Sequence, residues 1–471
     1  MFYRVRFGGL LLALVILLTP WALVAAEAPQ LALPDLISMA LKFSPEVKAS
    51  KSEMRFAEAQ QAEVKGYYYP QLDAVAVGGV VPNAKRPFVQ GGNIIYQPDN
   101  NRLNGVNIFG HLDATISQPL YTFGKIAFRE RAAAKNVKVK EAGVDAKRGE
   151  VILRVAEAYY GLVLAEQGKD AVREARTYLS DTRERITRLL AINSPNVKET
   201  DKYRLSMYEG GVEKFAAQAE EGAKVAYLAL KALIGYGSGQ DFRVPAELPN
   251  PAAAPGTLDQ QIRTALELRP EFTQLKEGLV ARQLLVDAAR ADQYPTFFAA
   301  VTGALAGAPG RQPSRDPYIY DFFNTAYAFP VVGAKWHFDF GITKAKIKQA
   351  QAELEQLQHN EKAALIGIPV EVAQSFGKVQ ENYRAAMGME KSYVNARRWL
   401  ITSFSNFDMG LGKMEDIFQA FEKYGVFRGD YLLALYEYNL ATAQLNKATG
   451  AYRRTLAAAA PPAAPVKAKA N

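Results

Sequence analysis

The chain has 471 residues, of which 49% are hydrophobic and 22% are charged, with 57 Lys and Arg against 48 Asp and Glu. It contains no cysteine, which excludes a disulfide framework, a thiol nucleophile, a thiolate metal site and a lipid-anchored N-terminal cysteine. The net charge of +9 is spread along helical segments among acidic residues, which favours solvated helix faces over nucleic-acid binding.

The start of the chain (1–26) has the three regions of a secretory signal peptide. Arg4 and Arg6 form a basic start, and the apolar run that follows (8–18) is too short to span a bilayer. Small residues at 24–26 predict cleavage before Glu27, which lowers the formal charge to +7 by removing the two arginines. A membrane anchor is the alternative. No later run is long enough for a transmembrane helix, so an exported chain is expected to be soluble or to cross a membrane as a barrel.

Short motifs recur at nearly fixed distances, which indicates an internal duplication. The offset in numbering between matched positions is 225 near the start of each half, and then becomes 217 and 215. Because loops tolerate changes of length, loops are expected where the offset changes. The matched pairs are Ala40-Leu41 with Ala265-Leu266, Pro45-Glu46 with Pro270-Glu271, Tyr69-Pro70 with Tyr294-Pro295, Phe123-Gly124 with Phe340-Gly341, Val155 with Val372, Tyr159 with Phe376, Asp201 with Asp416, and Gly235 with Gly450.

Each half begins with a predicted helix and a β-hairpin. Residues 35–69 are rich in Ala, Glu, Lys and Gln, and Pro70 ends them. In the second arm of the first hairpin, apolar 112, 114 and 116 alternate with polar 113, 115 and 117, as in a strand with one apolar face. Some of the apolar strand residues are therefore expected to face lipid; the candidates are Val75, Val77, Leu112, Ile116, Val301 and Val331.

A very long helix follows each hairpin. No proline occurs from Lys125 to Ile192, and residues 152, 155, 159 and 162 form a coiled-coil seam. Such a helix would be about 100 Å long at 1.5 Å per residue. In the second half, Pro369 stands inside the corresponding helix and predicts a kink.

These patterns predict a mainly α chain with a transmembrane β part. The predicted segments are a signal peptide (1–26), a first repeat (27–243) with a hairpin (about 71–121), a long helix (about 124–192) and a returning helix (about 197–235), a linker (244–256), a second repeat (257–450) with a hairpin (about 296–338), a long helix (about 341–405) and a returning helix (about 413–449), and a disordered Ala/Pro/Lys tail (451–471).

Four strands per chain cannot close a transmembrane barrel, because the smallest such barrels have about eight. Open sheet edges are not viable in lipid, so the strands are expected to be shared between subunits. An open sheet in a soluble domain is the alternative. A cluster of aromatic residues is expected to form a girdle at the membrane interface; its members are Tyr318, Tyr320, Phe322, Phe323, Tyr327 and Phe329.

The order, spacing and duplication of these motifs resemble the TolC-like outer membrane efflux proteins over almost all of the mature chain. The supporting motifs are Ala40-Leu41 to Pro45-Glu46, Tyr69-Pro70-Gln71-Leu72, Gln118-Pro119-Leu120-Tyr121, Phe338-Asp339-Phe340-Gly341 and Leu435-Tyr436-Glu437-Tyr438-Asn439-Leu440. The resemblance implies a homotrimer, with a 12-stranded barrel in outer-membrane lipid and a 12-helix tunnel in the periplasm. It also implies two partners, a periplasmic adaptor and an inner-membrane RND or ABC transporter. The implied function is an exit duct for small molecules or secreted polypeptides.

The resemblance also suggests a functional site at the two periplasmic turns. The turns are expected to contact the adaptor through Asn193, Pro195, Asn196, Gly410, Leu411 and Gly412. The acidic positions near the tunnel entrance correspond to Asp201 and Asp416, with Phe407 and Gln419 beside them, and Gln419 replaces a second acid of the family pattern. Both aspartates also stand in the first turn of a helix, where the helix dipole stabilises a negative charge. A gate and a helix-end role therefore both remain open.

Patterns typical of enzymes are missing from the sequence. The histidines are His111, His337 and His359, and they form neither an HExxH pattern nor a triad. The glycine-rich stretch at 410–414 lacks the spacing and the Ser or Thr of a phosphate loop. No catalytic, cofactor or metal site is predicted. The alternatives to a channel are an enzyme and a periplasmic helical scaffold without a transport barrel.

Overall fold

A computed structural model describes residues 28–84, 88–90, 93–95, 105–237, 239–253, 256–313, 318 and 320–459. The predicted signal peptide lies outside these residues, as do parts of the first hairpin loop and the chain after 459.

Helices make up most of the described chain. They are α1 (Leu33–Phe43), α2 (Pro45–Gly66), α3 (Lys125–Ala191), α4 (Glu199–Ile234), α5 (Leu258–Leu268), α6 (Pro270–Ala291), α7 (Ile342–Asp408), α8 (Met414–Thr449) and α9 (Tyr452–Ala459). The helices of the two halves have equal lengths: α3 and α7 each have 67 residues, and α4 and α8 each have 36. The long helices expected after each hairpin are therefore present in both halves.

Four long strands form one antiparallel sheet in the order β1-β4-β5-β6. The strands are β1 (Gln71–Pro82), β2 (Phe88–Gln90), β3 (Asn93–Ile95), β4 (Val106–Tyr121), β5 (Thr296–Gly307) and β6 (Thr325–Lys335), with β2 and β3 paired separately inside the first hairpin loop. Pairing of β4 with β5 joins the two halves, and β1 and β6 are left at the edges.

The helix predicted over 35–69 is two helices, which corrects the sequence interpretation. Ser44 separates α1 from α2, and its hydroxyl accepts a hydrogen bond from the Val47 backbone N–H at 3.3 Å. Pro45 follows as the first helical residue, where its missing N–H costs nothing and its fixed φ suits a helix start. The second half repeats this break, with Arg269 between α5 and Pro270.

The end of α7 differs from the prediction. The second long helix was expected to end at about Ser405, but α7 continues to Asp408, so the turn is shorter than expected. Pro369 lies inside this continuous helix, and the kink expected there stays a prediction.

The chain after Gly450 was predicted to be disordered, but α9 forms there and packs onto α3. The Tyr452 hydroxyl donates to the Asp145 carbonyl at 2.8 Å, and Arg453 forms an ion pair with the Asp145 carboxylate at 3.0 Å. Gly149 makes room for this contact, because a Cβ there would lie 2.6 Å from the Tyr452 ring. The Ala-rich composition of this segment predicted disorder, but Tyr452 at its start anchors it to α3.

The helices pack through several apolar clusters along their length. The predicted seam of α3 is confirmed at three of its four positions, because Val155, Tyr159 and Leu162 are buried in the cluster that joins α3 to α1, α4 and α8. Ile152 is only partly buried and lies outside this cluster. A separate cluster lies at the far end of the long helices, beside the two turns, and positions the candidate site.

Candidate functional site

The two turns between long helices form the free ends of the helical part. In the first turn, Asn193 adopts a left-handed conformation, with φ of 50°. In the second, Gly410 does so with φ of 74°, and its N–H bonds the Phe407 carbonyl at 3.0 Å. Both turns expose large apolar side chains, since Ile192 is 70% exposed and Leu411 is 79% exposed. Asn193, Asn196 and Gly410 are also exposed, and Pro195 is exposed beside them.

A shared apolar cluster makes the two turns one structural unit. Its buried members come from all four long helices and from the first turn: Leu179, Ile186, Val197, Leu205, Ala396, Leu400, Phe407, Met414, Ile417, Phe418, Ala420, Phe421 and Tyr424. Full burial of one such side chain contributes about 1.5–3 kcal/mol. The ends of the two hairpins are therefore held together within one chain.

Two ion pairs cross between the hairpins at this end. Arg185 of α3 binds both carboxylate oxygens of Asp408 of α7, at 2.9 and 3.0 Å. Arg204 of α4 pairs with Glu415 of α8. The first half supplies both arginines, and the second half supplies both carboxylates.

The arginines favour the ionised form of their partners. Hydrogen bonding from Arg185 lowers the pKa of Asp408, and hydrogen bonding from Arg204 lowers the pKa of Glu415. Because both carboxylates are about half exposed, the Asp408 pair contributes little, on the order of 0.2–1 kcal/mol, and the Glu415 pair is no stronger. A lowered pKa means that this contribution is present above the ordinary carboxyl pKa and is lost as the pH falls through the lowered value. The two ion pairs therefore add little to the apolar cluster that holds the hairpin ends together.

Asp201 and Asp416 occupy equivalent positions at the starts of α4 and α8. The Asp201 carboxylate accepts the backbone N–H of Lys198 at 2.8 Å, and the Asp416 carboxylate accepts that of Lys413 at 3.0 Å. Both aspartates therefore satisfy a backbone donor at a helix start, as the helix-end interpretation requires. Asp416 is exposed and Asp201 is partly exposed, so the prediction that they line a pore entrance stays a prediction.

The other two predicted entrance residues differ in their surroundings. Gln419 is exposed, and its side-chain amide donates to Glu415 at 3.2 Å. Phe407 lies in the last turn of α7, is 5% exposed, and belongs to the apolar cluster. Within one chain, Phe407 therefore packs beneath the turn.

A partly buried polar network links the hairpins further from the turns. Arg428 of α8 donates to the hydroxyls of Tyr393 and Tyr424 at 2.8 and 2.9 Å, and pairs with Glu174 of α3 at 2.8 Å. Burial raises the pKa of Tyr424, so it stays a neutral hydroxyl at physiological pH. The network explains part of the high tyrosine content.

One face of the sheet is apolar in every long strand, and we call it the apolar face. The pairing register puts these residues on one side: Leu72, Ala74, Ala76, Val80, Ile108, Leu112, Ala114, Ile116, Ala299, Val301, Leu305, Ala326, Ala328, Pro330 and Val332. Many are largely exposed, including Val332 at 78% and Ile108 at 68%. An exposed apolar surface of this extent indicates contact with lipid or another protein.

The opposite side, which we call the polar face, carries Asp73, His111, Asp113, Thr115 and Thr302. The Thr115 and Thr302 hydroxyls are 2.9 Å apart across β4 and β5. Of the residues proposed to face lipid, Leu112, Ile116 and Val301 lie on the apolar face, whereas Val75, Val77 and Val331 lie on the polar face. Period-2 alternation identifies faces within a strand, but only the register shows which faces of different strands coincide.

Four residues of the predicted aromatic girdle do not lie on the apolar face. Tyr327 and Phe329 lie on the polar face, because they pair with Ala304 and Thr302. Phe322 and Phe323 pack against Phe109 and His111 on that same face.

Sequence reasoning did not identify the arginine pairs or the Arg428 network. The partners are far apart in sequence, since Asp408 follows Arg185 by 223 residues and Glu415 follows Arg204 by 211. These arginines stand among many other charged helix residues. Only the packing of one hairpin against the other distinguishes them.

Solved structures with this fold include several outer membrane channels. The chain covers 92% of CusC, a transmembrane channel protein, with a TM-score of 0.71 and 18% identity over 89% of its own length. It covers 88% of the MtrE outer membrane channel of Neisseria gonorrhoeae in its open state, with a TM-score of 0.69 and 19% identity over 89% of its length. It covers 96% of the outer membrane protein VceC of Vibrio cholerae, with a TM-score of 0.69 and 17% identity over 89% of its length.

The fold is therefore that of TolC-like outer membrane channels, which confirms the resemblance seen in the sequence. No protein-family model matches the chain, and neither does any curated protein sequence. Among the described residues, no helix is both long enough and apolar enough to span a bilayer.

Proposed function

We propose that this protein is an outer-membrane exit duct, built from three copies of the chain. The observation that carries the proposal is the continuous apolar face of the sheet, joined at one end to helices of 67 residues. A lipid-facing sheet places the strands in a membrane. The helices, each about 100 Å long, then extend the duct into the periplasm.

The sheet edges support a closed barrel of twelve strands. All neighbouring strands are antiparallel, so β1 and β6 run in opposite directions. The β6 edge of one copy can therefore pair with the β1 edge of the next in the same antiparallel manner. Three copies close the sheet and leave no unpaired backbone groups in lipid. The apolar face is then outside and the polar face lines the lumen.

Packing within one chain suggests how the subunits meet. Helix α6 packs against both α3 and α7, whereas α2, its counterpart in the first half, packs against α3. If the halves are structural repeats, the free side of α2 is the surface that meets α7 of a neighbouring subunit. A ring of six similar units then forms from three chains, giving a tunnel of twelve long helices.

The turns at the free end fit a role as the periplasmic entrance. The exposed Ile192 and Leu411 offer apolar contacts to a periplasmic adaptor, and an inner-membrane RND or ABC transporter would supply the cargo. The Arg185–Asp408 and Arg204–Glu415 pairs join the hairpins at rest. Each pair contributes little by itself, so adaptor binding that opens the entrance would mainly have to act against the apolar cluster. The cargo is a small molecule or a secreted polypeptide.

Reconstitution of the purified protein in planar bilayers tests the duct directly. We expect a heat-modifiable trimer that conducts ions. Val301→Arg, in the middle of the apolar face, should cost about 2–4 kcal/mol in barrel stability. Thr302→Arg, at the adjacent position on the polar face, is the matched control and should cost less. Equal loss of trimer in both variants would contradict the assignment of faces.

The two capping aspartates are proposed to act also at the entrance. Threefold symmetry brings three copies of each carboxylate towards one axis, where like charges attract cations. Asp416→Asn is expected to reduce cation selectivity and divalent-cation block in single-channel recordings, and Asp201→Asn is expected to loosen the resting closure. Asparagine keeps a side-chain oxygen for the helix cap. Wild-type conductance, selectivity and block in both variants would leave only the helix-end role.

A periplasmic scaffold without a barrel is the alternative. It gives no reason for an apolar face that continues across all four long strands. A monomer that stays soluble without detergent and forms no channel would favour the scaffold.

A further inference from the structure

Residues 320–324, at the described end of the connection between β5 and β6, fold back over the polar face of the sheet. The Phe322 ring stacks on the His111 imidazole, with ring centres 4.3 Å apart and an angle of 11°. The Phe323 ring packs edge-on against Phe109 at 5.1 Å. His111 and Phe109 both point from β4 towards the polar face, so the two phenylalanines cover that face near the loop end of the strands.

Contacts at the strand ends fix this segment in place. Arg311 lies over the Phe323 ring at 4.6 Å and donates to the Pro82 carbonyl at 3.1 Å. The Asn324 side chain accepts the Ala308 backbone N–H at 3.1 Å and donates to the Arg311 carbonyl at 3.2 Å. The segment is therefore held from both hairpins.

His111 stands between two hydrogen-bond acceptors and is only 3% exposed. Its Nδ1 is 2.7 Å from the Phe322 carbonyl oxygen, and its Nε2 is 2.9 Å from a carboxylate oxygen of Asp113. A neutral imidazole has one N–H and one lone pair, so it can satisfy only one of these acceptors. The Nε2 contact is not aligned as a hydrogen bond, so it is an ion pair: the doubly protonated ring donates to the Phe322 carbonyl and places its positive charge beside the Asp113 carboxylate. The observed arrangement therefore suits imidazolium.

The described residues around His111 on the neighbouring strands offer no other positive charge for the Asp113 carboxylate. Its strand neighbours, Val77 and Ala306, are apolar. The Asp321 carboxylate accepts the Phe323 backbone N–H at 3.1 Å. The charged or titratable side chains near the site are Asp113, Tyr320, Asp321, Tyr327 and Arg311.

We propose that Phe322 and Phe323 form a lid on the lumen side of the barrel mouth, and that the protonated His111 holds the lid in place. The proposal rests on the duct function, which makes the polar face the lumen wall. His111 carries a second proton when the lid is held, and this proton is no longer stabilised when the lid is released. Acid therefore stabilises the held lid, and a rise in pH releases it. Three lids would narrow the mouth in a trimer.

Cysteine labelling measures the lid without relying on conductance. The chain has no native cysteine, so Phe109→Cys places a single thiol beneath the lid. Tyr318→Cys is the matched control, because Tyr318 is 95% exposed on the same connection and corrects for the pH dependence of thiol reactivity. We expect the ratio of the two labelling rates in intact cells to be about tenfold lower at pH 5 than at pH 8, in line with loss of a charge-assisted hydrogen bond.

Adding His111→Gln or Asp113→Asn should make the ratio of labelling rates independent of pH. The ratio should then equal the value found at pH 8, where the lid is released. A ratio that does not change with pH while His111 and Asp113 are both present would overturn the proposal. A ratio that changes with pH just as much in both variants would also overturn it.

Conductance of the otherwise unaltered trimer gives a second test. We expect it to be lower at pH 5 than at pH 8, and to lose this difference in His111→Gln. A channel whose conductance rises at acid pH would contradict the lid. A protein that labels as expected but forms no channel would contradict the proposed duct.

Discussion

Helices α4 and α8 have equal lengths and follow equivalent turns, yet their surroundings differ. Of 36 residues, α8 buries 14 and α4 buries five. Phe418 of α8 is 2% exposed, whereas Tyr203, its counterpart in α4, is 77% exposed. Helix α8 packs along both α7 and α3, while α4 packs along α3 and meets α8 near the turn through Arg204 and Tyr208.

In the proposed trimer, this difference identifies the surface of the chain that would meet another subunit. If the proposed repeats form a ring, α8 has its neighbours within the chain and α4 must find its second neighbour in another subunit. The exposed apolar side chains of α4 are then buried in the trimer; they are Tyr203, Met207, Phe215, Val225 and Leu228. Comparison of matched positions in the two helices can test this.

The largest contrast is expected between Phe418→Ala and Tyr203→Ala. Loss of the Phe418 ring should lower the free energy of unfolding of the subunit by about 3–5 kcal/mol, because it leaves a cavity in the apolar cluster. Tyr203→Ala should leave the subunit fold almost unchanged but reduce the fraction of trimer. Urea unfolding followed by tryptophan fluorescence measures the first effect, and gel migration without heating measures the second. Equal loss of subunit stability in both would show that Tyr203 is not an interface residue.

Charged residues allow a similar comparison at positions 428 and 213. Arg428 bonds two tyrosine hydroxyls and Glu174, whereas its counterpart Glu213 forms an exposed ion pair with Arg176. Arg428→Ala is expected to cost about 1.5–3 kcal/mol, because Glu174 loses its charged partner. Glu213→Ala should cost much less, because solvent screens an exposed ion pair. The same unfolding assay separates them, and a larger cost for Glu213→Ala would reverse their assigned environments.

The smallest effect concerns the ion pair between Arg204 and Glu415. The counterparts of these two residues are Gln419 and Thr200, which cannot form such a pair. In a ring of repeats, these uncharged residues face each other between subunits. Installing Gln419→Arg together with Thr200→Glu should add one ion pair at each subunit junction, worth on the order of 0.2–1 kcal/mol.

We expect this double variant to close the entrance more tightly and to lower single-channel conductance at low salt, with recovery at high salt as the charges are screened. Each single substitution is its control. An effect of the double variant no larger than that of the singles would mean that the two positions do not meet.

Much of the architecture could be predicted because long, periodic segments have strong local signals. A proline-free run with a coiled-coil seam predicted α3 closely, the duplication then located α7, and alternation predicted β4. The break at Ser44 has a local cause in Pro45, but helical composition on both sides obscured it.

The candidate site was less predictable because it depends on contacts between segments far apart. Sequence reasoning identified the turns and the two aspartates, whose capping bonds are local. It did not find Arg185 with Asp408, since the choice of partner depends on how one hairpin lies on the other. The positions of Val75 and Phe322 relative to the sheet likewise depend on register and on the return of a loop.

Pairing of β4 with β5 has a consequence for how the chain folds. Gly110 of β4 pairs with Gly307 of β5, although helices α3 to α6 separate these two strands in the sequence. Contacts of such high order form slowly, because the entropy of closing a long loop is lost before any pairing is gained. The α3–α4 hairpin, whose contacts are local, can assemble while the first half emerges. The β1–β4 hairpin meanwhile has an unpaired edge along β4, and such an edge can pair with the wrong strand or with another chain.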